Sequence, residues 1–472
     1  MGMKIAFAHY HLKTGGVTTV IKQQLASLPD HWQSLVVTGS LPQTRFPARL
    51  AHVPQIGYSD PLGGRYDPDA VAESILKAIH SKFSGSCDVL HVHNPTLAKN
   101  HQFLDLLNAL QQKGANLLLQ IHDFAEDGRP RSYYAAQYPA DCHYSVINGR
   151  DYDVLLNCGL VANGLHLLAN TVDCPQLPTR PSESQKAFIL YPVRAIRRKN
   201  IGEAILLSLF IKNGAALSIT LPPNSPADIS SYNGWKSFVK TQGLNVVFER
   251  GLARDFETNV MSADSLVTTS ITEGFGFSFL EPWLYGKLLW GRKLPEITRD
   301  FEQNGIRLHH LYNRLLVPLD WIGLDQFRSN WTHWVRQACR LLNHEVADSH
   351  IRQAFDACTR DGNIDFGLLD EGSQKKIIAA LVTSRKTVDM LMRLNPFLAH
   401  PGDVSDPDSL IRNNRTAIER GYNRRQYRQK LLDVYERVAN TTIRQRIDKK
   451  ALAAAFLDLE RFSLLKWSDY AE

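Results

Sequence analysis

None of the six cysteines stands in a CxxC pair, so neither a zinc knuckle nor a thioredoxin-like dithiol has its spacing. No apolar run approaches the roughly 20 residues that a membrane-spanning helix needs. The opening MGMKIAFAHYHLKTGG meets His9 and His11 after only a short apolar run, which is not the pattern of a secretory leader. No GxGxxG is present, and a nicotinamide-dependent reading loses its best support. Internal repeats and low-complexity tracts are missing as well. These absences leave a cytoplasmic, enzyme-sized chain as the expectation.

What is present fits ordinary packed cores. Hydrophobic residues make up 44% of 472 residues, and the length suggests two or three domains. The formal net charge of +7 favours anionic ligands such as phosphates, nucleic acid or acidic lipid, without choosing among them.

Short apolar runs alternate with helical patterns. KIAFAHY, SLVVTG, DVLHVHN, NLLLQIHD and LHLLAN read as strands in the first half, and AFILYPV, ALSITLP, NVVFERG, SLVTTS and KLLWGR in the second. Most are too uniformly apolar for a sheet with one wet face, which indicates parallel sheets covered on both sides. The proline-rich stretch from Cys174 to Gln185 reads as a linker. The expectation is therefore two doubly wound α/β domains. After about Ile322 the pattern turns helical and charged, and Tyr427, Leu431, Val434, Tyr435 and Val438 recur at helical spacing.

Ligands of open parallel sheets sit at the carboxyl ends of the strands. Those ends present His9, His11, His93, Asn94, His122 and Asp123, then Arg194, Gly251 and the stretch TEGFGFSFLE. After the first strand, HLKTGGVTTVIKQQL places Gly15 and Gly16 at the start of a helix with an apolar stripe of Val17, Val20, Ile21, Leu25 and Leu28. Glycines there admit a ligand to the backbone, and free N–H groups at a helix start attract phosphate. In YPVRAIRRKNIGEAI, Arg194 and Lys199 lie five apart and could grip a diphosphate, the arginine as a planar fork and the lysine as a point charge. In TEGFGFSFLE, Glu273 follows a strand, and Glu281 is expected one to two turns into the next helix. A carboxylate accepts from two vicinal hydroxyls, so two of them around a glycine loop suit the two sugars of a sugar nucleotide.

TEGFGFSFLE resembles the E-x7-E motif of retaining glycosyltransferases of the GT-B fold, in particular family 4. The GGV loop, His122, the Arg194–Lys199 pair and the two glutamates follow in that family's order, and the similarity covers roughly residues 3–440. One departure is Val193, where the family usually has glycine before the arginine. Residues 343–405 and the tail after Thr441 have no obvious counterpart. The resemblance implies two Rossmann-like domains facing a cleft: an acceptor-side domain over 1–180, a nucleotide-sugar-binding domain over 181–420, and helices over 421–472 crossing back to the first. It implies that Gly15 and Gly16 approach the donor phosphates and the acceptor. Arg194 and Lys199 would bind the diphosphate and stabilise the leaving group, Glu281 would hold the ribose and Glu273 the transferred sugar. The Gly274, Phe275, Gly276, Phe277 and Ser278 backbone would line the sugar and phosphates, and His122 would sit near the donor sugar. Glu273, His122, Arg194 and Lys199 are then the catalytic set. Retention of configuration and independence of any metal or other cofactor follow from the same resemblance. The donor would be a UDP- or GDP-hexose.

Other classes are weighed against this. The HxH pairs His9–His11 and His91–His93, with His122 and Asp123, could bind zinc for hydrolysis, but His91 should lie within its strand and His11 beyond one. DxD occurs at Asp67–Asp69, Asp151–Asp153 and Asp406–Asp408, and three hits in one chain carry little meaning. The arginines from Arg412 to Arg428 are interleaved with apolar helix positions, which reads as a solvated face rather than a nucleic-acid site. A same-fold sugar-nucleotide epimerase or a phosphorylase is a further alternative, and an epimerase or hydrolase would need no acceptor. The acceptor is expected against the first domain, where HDFAEDGRPRSYYAAQYP offers Glu126, Asp127, Arg129, Arg131, Tyr133 and Tyr134. That mixture suits a polar small molecule or saccharide, and peripheral contact with a membrane surface stays open.

Overall fold

The computed structural model describes residues 2–42, 44–59, 64–175, 187–211 and 214–468. Most of the linker from Cys174 to Gln185 lies outside them. The chain divides into two compact units: Met1–Thr171, Leu341–His344 and Tyr422–Leu457 form unit 1, and Val172–Arg340, Glu345–Gly421 and Asp458–Glu472 form unit 2.

Unit 1 holds seven parallel strands: β1 (Lys4–His9), β2 (Gln33–Thr38), β3 (Arg49–His52), β4 (Val89–His93), β5 (Leu117–Ile121), β6 (His143–Val146) and β7 (Leu165–Leu167). Their order is β3-β2-β1-β4-β5-β6-β7. The order reverses beside β1, so the β1 and β4 ends border the crevice where such sheets take ligands. β4 and β5 are buried at every position, the consequence of helices on both faces. One layer of core packs Ala6, Leu35, Leu90 and Leu119 beneath helices Pro68–Phe83 and Phe103–Gln112. The other packs Ile5, Phe7, Val36 and Leu118 beneath Ile21 and the residues Tyr427, Leu431, Val434, Tyr435 and Val438. These last five are the buried face of helix Arg424–Asn440, as their spacing predicts. The helix is pinned by polar bonds too: the Gln24 amide donates to the Tyr427 hydroxyl at 2.9 Å, and the Tyr435 hydroxyl lies 2.9 Å from His91 Nδ1.

Unit 2 holds five parallel strands: β8 (Phe188–Arg194), β9 (Ala216–Leu221), β10 (Val246–Val247), β11 (Ser265–Thr268) and β12 (Leu288–Gly291), in the order β10-β9-β8-β11-β12. Its switch point lies between β8 and β11. The expected strand NVVFERG shrinks to two residues, and Gly251 falls inside the short helix Arg250–Ala253 rather than at a strand end. An antiparallel pair, β13 (Leu316–Pro318) with β14 (Asn363–Asp365), stands apart from the main sheet. It is tied in by Arg292, whose guanidinium donates to both Glu203 and Asp365. Helices dominate from Leu324 onward. Among the described residues no helix is long and apolar enough to cross a membrane.

The three DxD matches are helix starts. Asp67 and Asp406 accept backbone N–H groups of the turns they open, and Asp151 pairs with Asn148 and Arg150. The arginines Arg412, Arg420, Arg424, Arg425 and Arg428 are exposed.

Candidate functional site

In unit 2 the elements flanking the switch point bring two distant motifs into contact. β8 ends at Arg194 and is followed by a single 3-10 turn, Arg197–Lys199. Asn200 then takes φ 51°, a left-handed conformation that asparagine tolerates, and helix Ile201–Ser208 begins. The turn is held from behind. The Tyr191 hydroxyl donates to the Lys199 carbonyl at 2.6 Å, the Ile271 N–H donates to the Arg198 carbonyl at 3.0 Å, and Arg198 donates to the Thr272 carbonyl at 3.1 Å.

Lys199 thereby reaches Glu273, 74 positions on, in a direct ion pair. Arg198 stands 3.6 Å from the other carboxylate oxygen. Glu273 is buried, at 8% exposure. Burial alone would push its carboxyl up, but the Lys199 and Arg198 charges outweigh it and hold the pKa below the ordinary value. Arg194 is not part of this cluster as described: it is exposed and donates to the Pro222 carbonyl at 2.9 Å. Arg198, whose only sequence signal is its place in the run RRK, holds a place that spacing along the chain gives to Arg194.

The loop after Glu273 makes no strand. Gly276 sits at φ 95°, where a Cβ would meet Phe279 at 3.0 Å and Ile297 at 3.1 Å, so glycine is required twice over. The turn sends Phe275 and Phe279 into the core, at 6% and 0% exposure, and leaves Phe277 half-buried. The Ser278 hydroxyl is buried without a partner among the described residues. Glu281 is the first residue of a four-residue helix, Glu281–Leu284, with Pro282 behind it, not one to two turns into a helix. A 3-10 turn over Phe277–Phe279 takes up the intervening chain. Glu281 is half-buried, and no ion pair to it occurs among the described residues. Burial raises its pKa to about 7. Two acids on one loop thus have opposite electrostatics.

In unit 1, helix Gly16–Ser27 follows β1, with Gly15 at its N-cap. Gly15 has φ 172°, extended backbone open to any residue. A Cβ on Gly16 would meet nothing within 4 Å, and on Gly15 only a carbonyl at 4.0 Å. Neither turn geometry nor packing inside the protein asks for glycine here.

Histidines fill the ends of β1, β4 and β5. His93 Nδ1 lies 3.0 Å from His122 Nε2, and His9 Nδ1 lies 3.3 Å from the His93 carbonyl. The His91 and His93 rings stack at 4.4 Å. Asn94, at φ 57°, accepts the backbone N–H groups of His122 and Asp123 on its side-chain oxygen. Burial drives His9 and His91 down to about 3 and His122 to about 4. Among the described residues no group of three or more His, Cys, Asp or Glu is placed to hold a metal ion.

The expected acceptor loop is largely consumed by internal bonds. Glu126 is fully buried and receives the Tyr138 hydroxyl at 3.0 Å. Asp127 pairs with Arg150 at 3.0 Å, and the Tyr134 hydroxyl donates to the Asn100 carbonyl. Lys449 plugs the loop from behind, donating to the Tyr134 and Ala136 carbonyls over the Tyr133 and Tyr138 rings. What remains outward is cationic. Lys13 and Lys99 are exposed, beside His11, whose Nε2 lies 3.1 Å from the Tyr58 hydroxyl, and beside the Arg129–Asp123 pair at 2.8 Å.

No protein-family model matches the chain. Among curated proteins it is similar to mannosylglucosyl-3-phosphoglycerate synthase of Petrotoga mobilis, 26% identical over 408 residues, covering 78% of this chain and 79% of that one. Among solved structures it is similar to sucrose-phosphate synthase of Thermosynechococcus elongatus, with TM-score 0.53 and 13% identity over 92% of this chain and 98% of that one. HepE of Anabaena, solved with UDP and glucose, gives TM-score 0.54 and 11% identity over 92% and 99%. The two parallel-sheet units with their helical C-terminal region therefore have the GT-B glycosyltransferase fold, and the likeness to a curated glycosyl-transferring enzyme supports glycosyl transfer as the activity.

Proposed function

We propose that the chain is a retaining, family 4-like hexosyltransferase that takes a nucleotide sugar such as a UDP-hexose and needs no metal. One observation carries the reading. The Lys199–Glu273 pair joins the basic turn after β8 to the glycine loop after β11, while Glu281, at the far end of that loop, has no ion-pair partner among the described residues. Lys199 and Arg198 can pass from the carboxylate to a diphosphate, supplying the charge that a metal would otherwise supply. Glu281 suits ribose hydroxyls, Glu273 the transferred sugar, and the Gly274–Ser278 backbone the phosphates between. In unit 2 the Ser278 hydroxyl, buried with no partner among the described residues, suits a ligand, and in unit 1 the sterically unexplained Gly15 and Gly16 leave the backbone open to one.

The acceptor, on this reading, carries a carboxylate or phosphate. Lys13 and Lys99 are exposed at the strand ends of unit 1, whereas the acids of the neighbouring loop are bonded internally. The Petrotoga relative is itself named for a sugar-substituted 3-phosphoglycerate. The experiment is a thermal-shift screen of nucleoside diphosphates and nucleotide sugars in excess EDTA. A donor at 100 times its dissociation constant adds about 2.7 kcal/mol. Turnover follows, with 3-phosphoglycerate and its glucosyl derivative as acceptors. No shift with any nucleotide, or turnover that vanishes in EDTA and returns with Mn²⁺, would overturn the reading.

A further inference from the structure

Residues 458–468 belong to unit 2 and close on the basic turn. Segment Asp458–Ser468 contains a 3-10 turn, Leu459–Arg461, and a short helix, Leu464–Trp467. Its apolar side chains are buried: Phe462 and Leu464 at 0%, Leu465 at 1%, Trp467 at 4%. Phe462 and Trp467 stack at 5.5 Å, and the Trp331 indole donates to the Phe462 carbonyl at 3.2 Å. The Ser463 hydroxyl donates to the Gly367 carbonyl at 2.6 Å. Gly367 lies within residues 343–405, the stretch with no obvious counterpart in the family resemblance, and Trp331 lies before it.

What this packing presents is a set of acceptors for one arginine. Arg197 donates to the Ser468 carbonyl at 3.1 Å, to the Leu464 carbonyl at 3.1 Å and to the Ser468 hydroxyl at 2.6 Å. A planar guanidinium with three fixed acceptors is held in orientation as well as in place. Arg197 begins the 3-10 turn that Lys199 ends, so anchoring the first residue limits where the last one's ammonium can go. The turn is thereby held on both sides: by Tyr191 and Ile271 through its carbonyls, and by the tail through Arg197.

We propose that Asp458–Ser468 is a splint for the donor-binding turn, and that Arg197 is the positioning residue through which it acts. The inference rests on the reading of Lys199 as a diphosphate ligand. An ammonium already in place loses less freedom on binding, so the splint should show as nucleotide affinity.

The test uses the full chain and UDP as probe, with calorimetric affinities and melting temperatures for each variant. Wild type should bind UDP and Lys199→Ala should lose most of that binding. Arg197→Met and Trp467→Ala should each weaken UDP roughly tenfold or more at 25 °C, with Arg197→Lys recovering part of the loss. Ser468→Ala, the mildest change, removes one acceptor of three and should cost a few-fold. Trp467 stacks on Phe462, so loss with Arg197→Met but none with Trp467→Ala or Ser468→Ala would mean that Arg197 acts by direct contact and would sink the splint. Lower melting temperatures with unchanged UDP affinity would reduce the tail to a stability element and also overturn it. If wild type binds neither UDP nor GDP, the donor-site reading fails first, before any variant is made, and the splint falls with it.

Discussion

The carboxyl ends of the two sheets solve the same problem in opposite ways. In unit 2 the site is built from groups that cannot easily lose their charge. Lys199 and Arg198 meet Glu273, and the acid's pKa falls in spite of burial. In unit 1 the site is built from imidazoles, which shed a proton at small cost, and burial, with neighbouring histidines adding to it at His9 and His91, carries His9, His91 and His122 to about 3 or 4. One end pairs fixed cations with a carboxylate; in the other the buried strand-end imidazoles form a neutral, hydrogen-bonding wall, with Lys13 and Lys99 exposed outside it. Glu281 shows the rule inside unit 2: the same loop, no ion pair among the described residues, and a pKa of about 7. On the proposed function, charge stabilisation falls to unit 2.

The largest effect is expected from Glu273→Gln. It keeps the side-chain shape and removes the charge that Lys199 and Arg198 face. Turnover of the sugar donor should fall by about one to three orders of magnitude if the carboxylate aligns the sugar or offsets charge at its reacting carbon. Free UDP lacks the transferred sugar, and its affinity should hold or rise because Lys199 is released from its partner. Wild-type turnover in a normally melting variant would return Glu273 to a purely structural pairing.

Next come the cations, where the structure separates what spacing made equal. Lys199→Ala removes a charge-assisted contact worth roughly 1.5–3 kcal/mol, about ten- to a hundredfold or more. It also strips a buried acid of its nearest cation, so the variant should melt lower. Arg194 is exposed and bonded to a neutral carbonyl. Arg194→Ala should therefore cost only about 0.5–1.5 kcal/mol, or roughly two- to tenfold. Steady-state kinetics on the two variants side by side check the order, and an Arg194 effect as large as that of Lys199 would reverse the structural ranking.

Much of this site was readable as order along the chain, because Lys199 and Glu273 each follow a strand at the switch point and parallel sheets place such positions together. Strand-end adjacency does not say which neighbouring cation turns inward, so Arg198 stayed hidden behind Arg194. The fold was legible where strands were long and apolar, as in β1, β4 and β5. It was not legible at β3, a four-residue edge strand with Arg49 and His52 exposed, nor at β6, whose HYSV is fully buried yet mostly polar. The helical stripe of Arg424–Asn440 was visible by period alone. The tail after Asp458 was not, because its buried residues sit on two single turns too short to show a period.

Glu281 gives a smaller effect with a pH signature. Its folded pKa of about 7 exceeds the ordinary carboxylate value, so the native state holds a proton that the unfolded chain has lost between about pH 4.5 and 7. This contribution to stability is full below that window and is lost as pH rises through 7. Glu281→Gln should flatten that part of the melting-temperature profile and melt higher than wild type at pH 8. Ribose hydroxyls donate best to the ionised carboxylate. UDP affinity in wild type, relative to Glu281→Gln, should therefore rise with pH by up to about tenfold across one unit. Parallel profiles for the two proteins would remove Glu281 from the ribose.

The smallest effect is expected where the comparison predicts none. If the histidines of unit 1 form a neutral wall, none of His9, His91 and His122 changes charge between pH 5 and 8. The pH dependence of turnover should then be the same in wild type and in His122→Asn, even though the variant's rate falls through loss of a hydrogen-bonding group beside the sugar. Stability behaves differently. The unfolded chain takes up protons on these imidazoles below about 6.5 while the native state refuses them until about 3 or 4, so stability is full above that window and drains away as pH falls through it. The two readouts should part company: a flat catalytic contribution beside a steep acid loss of melting temperature. Imidazole chemical shifts followed by NMR across pH 4–8 decide the point directly. A titration near 6.5 at His122, with a matching inflection in turnover that His122→Asn abolishes, would make unit 1 a partner in proton transfer and end the division of labour between the two sheets.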